Sequence, residues 1–318
     1  MYMPVLFLIL TLTMLLNTPD AYAQEGQFSV GILPPILEIN ADPPAKIESI
    51  ISVHNLNDNS RDLNIVFRSF RPSDQKNGQI EYLAENKIEG PDPLILQKIG
   101  IYEGERQVSK ISLGPFETKE LKMKISIEPG APIGDYYFSI IFISQAESLG
   151  SFSQSILPGG IGTNVILSVG KKGETRGEMV KFSSPFFLGS GPVPFTLLLR
   201  NNSEHFIVPR GRIMIKNMFG KDAGKLEILP QYILSNSERY MRDTNQATSS
   251  AQTSQTLLWP EKFLLGIYTA KAFVKLSENG PNFETSLTFV ALPLYIIFAI
   301  SFFAFILLGI YLRVRKRL

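Results

Sequence analysis

The sequence predicts an all-β body, on three observations. Apolar and polar residues alternate with period two in several segments, helical periodicity is nearly absent from 24 to 290, and Pro and Gly cluster at short spacing. Ile47, Ile50, Ile51 and Val53 share one apolar run. Leu63, Ile65 and Phe67 then alternate with Asp62, Asn64, Val66 and Arg68. Leu121, Met123, Ile125 and Ile127 alternate with Lys122, Lys124 and Ser126. Successive side chains of a strand point to opposite faces, so each pattern reads as a half-buried strand. Further β-branched and aromatic runs are 136–143, 163–169, 195–199, 212–215, 267–276 and 283–290. Between them fall Pro34-Pro35, Pro43-Pro44, Asn77-Gly78, Gly114-Pro115, Pro129-Gly130, Pro158-Gly159-Gly160, Gly189-Ser190-Gly191-Pro192 and Asn279-Gly280-Pro281, the punctuation of β-sandwiches.

An internal echo sets the domain count. Val53-His54-Asn55-Leu56-Asn57 is followed later by Gly134-Asp135-Tyr136-Tyr137, and Leu199-Arg200-Asn201-Asn202-Ser203 by Gly266-Ile267-Tyr268. In an immunoglobulin-like sandwich the glycine admits the turn into a late strand, and a tyrosine near its start bonds back to the corner. Tyr136 and Tyr268 are therefore the expected corner residues. Two tandem immunoglobulin-like β-sandwiches follow, over 24–172 and 173–290, joined near Gly170-Lys171-Lys172-Gly173-Glu174.

The ends suggest where the body works. Val5 to Leu16 has the length of a secretory h-region, and Ala21-Tyr22-Ala23 supplies small residues for cleavage between Ala23 and Gln24, so 1–23 reads as a signal peptide. Ala291 to Leu312 is uncharged and long enough for a transmembrane α-helix, with Tyr295 and Tyr311 near its ends and the basic tail 313–318 behind it. The expectation is a single-pass protein of the bacterial cell membrane, N-terminus outside and C-terminus cytoplasmic, contacting the lipid bilayer through that helix. Four of the 31 basic residues lie in the tail and one of the 29 acidic residues, Asp20, in the leader, which leaves the exterior nearly neutral. A neutral body lacks the overall basic field of a nucleic-acid binder, so no nucleic acid is expected as partner. The absence of cysteine in an exported chain points to a bacterium.

Val30-Gly31-Ile32-Leu33-Pro34-Pro35-Ile36-Leu37-Glu38-Ile39, the strand Ile50 to Asn55, and Pro129-Gly130-Ala131-Pro132-Ile133-Gly134-Asp135-Tyr136-Tyr137 resemble the WxL-interacting proteins of Gram-positive surfaces. The resemblance implies a wall-associated scaffold. Its first domain would contact cell-wall peptidoglycan, and its second a partner surface protein or host ligand. The chain departs from that family in having Asp42-Pro43-Pro44-Ala45 ahead of the second strand, and no family binding residue matches a position here. Trp259 is followed by Pro260-Glu261, so the chain does not itself bear the Trp-x-Leu motif.

Catalytic, cofactor and metal readings find no support. Without cysteine there is no thiol nucleophile or thiolate site, and only His54 and His205 remain, each in a turn or satisfied-core setting. The oxygen-rich Asn55-Leu56-Asn57-Asp58-Asn59-Ser60-Arg61-Asp62 lacks the Gly and terminal Glu of a calcium loop and reads as a hairpin turn. Loops at 217–225 and 239–256 are long, 91–102 is apolar enough for a strand or a partner patch, and Asn201-Asn202-Ser203 matches the glycosylation triplet. The reading is a non-catalytic surface binding protein. Its alternatives are a membrane-tethered wall hydrolase, and a chaperone-like or structural subunit acting by strand addition. Pilus chaperones share the sandwich and an exposed edge, but they are soluble in the periplasm, and the expected anchor argues against that role.

Overall fold

The computed structural model describes residues 29–84, 90–144, 159–244, 255–293, 301–308, 310 and 313. Its first half holds β1 (Val30–Leu33), β2 (Ile36–Ala41), β3 (Ala45–Asn55), β4 (Arg61–Pro72), β5 (Ile80–Tyr82), a 3-10 turn (Ile95–Lys98), β6 (Ile99–Glu103), β7 (Arg106–Gln107), β8 (Lys110–Leu113), β9 (Thr118–Ile127), β10 (Gly134–Ser144) and β11 (Gly160–Val169). Two sheets result, one ordered β1-β3-β9-β6-β7 and the other β2-β11-β10-β4-β5, with β8 also on β4. Ile51, Val53, Leu121 and Met123 from the first sheet pack with Leu63, Phe138, Ile140, Phe142, Val165 and Leu167 from the second. Each such side chain contributes about 1.5–3 kcal/mol on burial.

The second half holds β12 (Gly177–Ser183), β13 (Phe187–Leu188), β14 (Val193–Asn201), β15 (Arg210–Asn217), β16 (Asp222–Ile228), β17 (Glu238–Tyr240), β18 (Leu257–Trp259), β19 (Gly266–Lys275) and β20 (Asn282–Ala291). Here the sheets run β12-β14-β17, with β18 on β14, and β13-β20-β19-β15-β16. Phe195, Leu197 and Leu199 of β14 meet Ile213, Ile215, Ala270, Ala272 and Phe289 in a second core. The sole tryptophan belongs to it: the Trp259 ring lies edge-on to Tyr268 at 5.8 Å, and Tyr268 stacks on Phe289 at 5.4 Å. The chain is thus all-β, folded as β-sandwich-like pairs of sheets.

Both tyrosines turn their corners as the echo predicts. The Tyr136 hydroxyl donates to the Pro132 carbonyl at 3.0 Å and that of Tyr268 to Leu265 at 3.4 Å. Gly134 and Gly266 precede them at φ +143° and +111°, which a side chain rarely adopts.

Several expectations need correcting. The turn after Asn55 joins strands of opposite sheets and is a crossover, not a hairpin. Its centre is filled by the Asn55 amide, which donates to the Asn59 and Gly114 carbonyls at 2.8 Å each. The apolar 91–102 segment is no partner patch, because Ile95, Ile99 and Ile101 are core residues of the 3-10 turn and β6. Half of the 217–225 loop is the start of β16, paired with β15 through a tight turn at Asn217 to Lys221. Of the 239–256 loop, 245–254 lies outside the described residues, as do the signal segment 1–23 and the Ala23–Gln24 cleavage position.

The single-pass membrane placement is overturned. No helix among the described residues is long and apolar enough to cross a bilayer. The predicted span begins inside the body: Ala291 ends β20, fully buried, and Leu292 N–H donates to the Leu188 carbonyl at 2.8 Å. Residues 301–308 are helical, as are 310 and 313, and these are the further described part of that run and its tail. The rest of the expected span and most of the basic tail fall outside the described residues.

Candidate functional site: an open sheet edge and the junction that fixes it

β11 pairs with β10 along its whole length, from Gly160 opposite Ile143 to Val169 opposite Gly134. On its other side β2 covers only Asn164 to Val169. Asn164 N–H donates to the Pro35 carbonyl at 3.0 Å and Gly170 N–H to Ala41 at 2.7 Å, so even-numbered residues direct their backbone groups to this side. Gly160 and Gly162 share that parity, and no described strand is hydrogen-bonded to them there; the nearest chain is the end of β1 and Pro34, whose carbonyl accepts the Thr163 hydroxyl. β2 starts no earlier because Pro34-Pro35 offer no N–H, and the chain before them, β1, pairs with β3 in the opposite sheet.

The surroundings of this gap are apolar. Leu33 is 67% exposed and Ile36 41%, while Ile141 and Ile143 lean across the glycines: a Cβ on Gly160 would lie 3.6 Å from each. Sheets normally guard a bare edge with charge, proline or a bulge. Another open edge of this half does carry charge: beyond the reach of β1, residues 45–51 of β3 project Lys46 and Glu48 into solvent beside the exposed Ile50. At Gly160 and Gly162 there is no side chain to act as a guard.

The opposite end of the same strand pair, where Gly134 faces Val169, is tied to the second half through Asp135. Its side chain is fully buried. One oxygen accepts from the Ser168 hydroxyl at 2.6 Å and meets His205 Nδ1 at 2.9 Å; the other accepts from the Tyr137 hydroxyl at 2.8 Å and Phe206 N–H at 2.6 Å. Tyr137 in turn receives the Ser235 N–H at 3.1 Å. Phe70, Ile166, Phe206 and Leu234 pack around this network as a third apolar cluster. Lys76 pairs with Glu238 at 2.7 Å, and its carbonyl accepts Tyr240 N–H at 2.8 Å. The Arg239 guanidinium lies against Gly78, where any side chain would collide with it.

Burial shapes the electrostatics. Desolvation, then the Asp135 carboxylate, push the Tyr137 hydroxyl far above its ordinary value and keep it a neutral donor. Tyr136 rises to about 12, first from burial and then from Asp92. Burial and then Arg242 lower Arg239 to about 10. Glu238 is held below the usual carboxylate range, chiefly by its hydrogen bond to Lys76 and further by Arg200.

His54 and His205 are not brought together: His54 meets the Thr118 hydroxyl at 2.6 Å, and His205 is the junction residue just described. No group of three or more His, Asp or Glu among the described residues is placed to hold a metal. Asn201, the acceptor of the glycosylation triplet, is fully buried, its amide donating to the carbonyls of His205, Ile233 and Leu234. Sequence reasoning missed Asp135, Ser168, Gly160 and Gly162. The available signals were an acid at the head of an apolar strand and the Gly160-Ile161-Gly162 spacing.

No family model matches the sequence, and no curated protein matches it. Among solved structures, one chain of a chaperone–tip adhesin complex of CFA/I fimbriae aligns with a TM-score of 0.38 and 12% identity, over 83% of this chain and 99% of that one. The class 5 fimbriae chaperone CfaA aligns at 0.37 and 11%, over 83% and 100%. The E. coli chaperone DraB aligns at 0.36 and 13%, over 82% and 99%. Likeness at this level assigns no partner or activity to the chain.

Proposed function

We propose that this protein is a non-catalytic binding protein, built from two immunoglobulin-like domains, that takes an extended apolar segment of a protein partner as an added strand on β11. The observation that carries the reading is the unguarded edge at Gly160 and Gly162, with Leu33, Ile36, Ile141 and Ile143 around it. Strand addition draws affinity from main-chain hydrogen bonds and specificity from alternate side chains. Here the glycines leave room beside two isoleucines, which favours a strand with apolar residues at every second position. The Asp135 network holds the second half against the other end of β10 and β11, so the edge belongs to a braced pair of strands.

The test is selection of a random-peptide display library on the full chain, with Gly160→Pro as counter-target. Proline at 160 removes an edge donor and leaves the β10 ladder intact. Enriched peptides should alternate apolar residues and fail to bind the proline variant. Enrichment without that pattern, or equal binding to both proteins, rejects the proposal. A wall-scaffold role of the WxL-interacting type expects instead retention of the chain on insoluble peptidoglycan, and the same preparation distinguishes the two.

A further inference from the structure

The outer face of the β13-β20-β19-β15-β16 sheet carries cations that form no ion pair among the described residues, although Arg212 stands opposite Glu227 of β16. β15 and β19 pair so that Arg210 stands opposite Lys275 and Arg212 opposite Phe273. Arg210 and Arg212, two residues apart on one strand, project from the same face. Neighbouring lysines on these strands are neutralised: Lys271 by Glu284, Lys225 by Glu227, and Lys216 by Asp222 at 3.9 Å. Arg210, Arg212 and Lys275 form no ion pair among the described residues. Like charges directly opposite each other weaken a strand pair, so the sheet itself gives no reason for this placement.

The cations line connected space. A cleft of about 590 Å³ at the junction, walled by Lys172, His205 and Phe206, shares Arg210 and Lys275 with a groove of about 490 Å³ that continues over the sheet past Arg212 and Phe273. Of the carboxylates along it, Glu38 is engaged by Lys172 at 3.8 Å and by Tyr232 at 3.1 Å, Glu227 and Glu284 by their lysines, and Glu278, at the cleft, has no ion pair among the described residues. The Phe273 ring supports the cations from below, with the Arg212 guanidinium 6.0 Å and Lys271 Nζ 5.1 Å from its centre.

We infer that this groove docks an acidic segment of a protein, running along β15 with carboxylates at alternate residues, one between Arg210 and Lys275 and the next over Arg212. The charge complementarity has a geometric side. Alternate residues of a strand and of an extended peptide both repeat at about 6.6 Å, so successive carboxylates meet successive cations, and each guanidinium can take a carboxylate with two parallel bonds. The surface is separate from the open edge, which lies about 30 Å away along β11, so the inference does not rest on strand addition.

The experiment is fluorescence anisotropy on the full chain with a labelled peptide alternating Glu and Thr, acetylated and amidated so that only side chains carry charge. A peptide with Gln for Glu is the neutral comparison. The Glu peptide should bind more weakly as salt is raised, lose at least about tenfold in affinity to R210Q/R212Q/K275Q, and bind K122Q/K221Q, whose changes lie outside the groove, as it binds the unaltered chain. Equal binding of the Gln peptide, or no loss in the triple variant, overturns the inference. Binding of polyphosphate with no binding of the Glu peptide also overturns it, reassigning the groove to a phosphate polymer.

Discussion

Asn55 at the end of β3 and Asn201 at the end of β14 perform the same local task and serve different tertiary ends. Each is fully buried, each accepts the backbone N–H two residues on, and each donates its amide to the carbonyl four residues on. Around Asn55 the result is a closed turn, its other bond going to Gly114 within the same half. Around Asn201 the same geometry presents His205 and Phe206 N–H to Asp135 of the other half. A local motif sets the shape of a turn, and what lies opposite decides whether the turn only closes a sandwich or also joins two.

That contrast can be broken most severely at the receiving end. Asp135→Ala leaves Ser168, Tyr137, His205 and Phe206 N–H facing a vacated buried position, and should cost about 3–5 kcal/mol in chemical denaturation. A loss below about 1 kcal/mol would mean that the junction does not stabilise the fold. Next come the asparagines themselves. Asn201→Ala removes amide bonds to three carbonyls of a buried turn, of which Ile233 and Leu234 keep the Ile207 N–H and the Ser237 hydroxyl while that of His205 loses its donor. It should cost about 1–3 kcal/mol, more than Asn55→Ala, where Gly114 keeps the Glu117 N–H and Asn59 is exposed to water. Equal losses would make the two turns equivalent after all.

The corner tyrosines sharpen the comparison further. Tyr136→Phe should cost about 1 kcal/mol at neutral pH. The folded-state value near 12 adds a pH signature: the unfolded tyrosine ionises from about 10, so the native state keeps this contribution below pH 10 and loses it as pH rises toward 12. In Tyr136→Phe the alkaline decline should be shallower, as read by thermal melts between pH 9 and pH 12. The smallest effect is expected at Glu238. Because its value is depressed in the fold, its contribution is present above the ordinary carboxylate value of 4.5 and fades as pH falls below it. Lys76→Gln should flatten that acid loss in denaturation measured across the same range.

Much of the fold is legible in the sequence where alternation is long. β3, β4, β9, β10, β11, β14, β15, β19 and β20 coincide with apolar or alternating runs. β13 and β18 are too short to show a period, β16 is hidden by Asp222, Gly224 and Lys225, and β1 and β2 are divided by the two prolines that split their pairing between sheets. The run from Ala291 misleads for a related reason: the last inward residues of a buried strand and the first residues of a long apolar helix have the same composition, and only the pairing of β20 with β13 separates them. The candidate site was less legible still. An open edge is a property of where β2 stops against β11, and Asp135 gains its role from residues about seventy positions away.

The central claim is that Gly160 and Gly162 offer backbone groups to an incoming strand. Amide hydrogen exchange on the full chain, with and without a library-selected peptide at saturation, reads those groups individually. The account predicts that both glycine amides exchange freely alone and become strongly protected when the peptide binds, with Asn164 and Gly170 protected throughout by β2. Saturation that leaves Gly160 and Gly162 exchanging as before would contradict it.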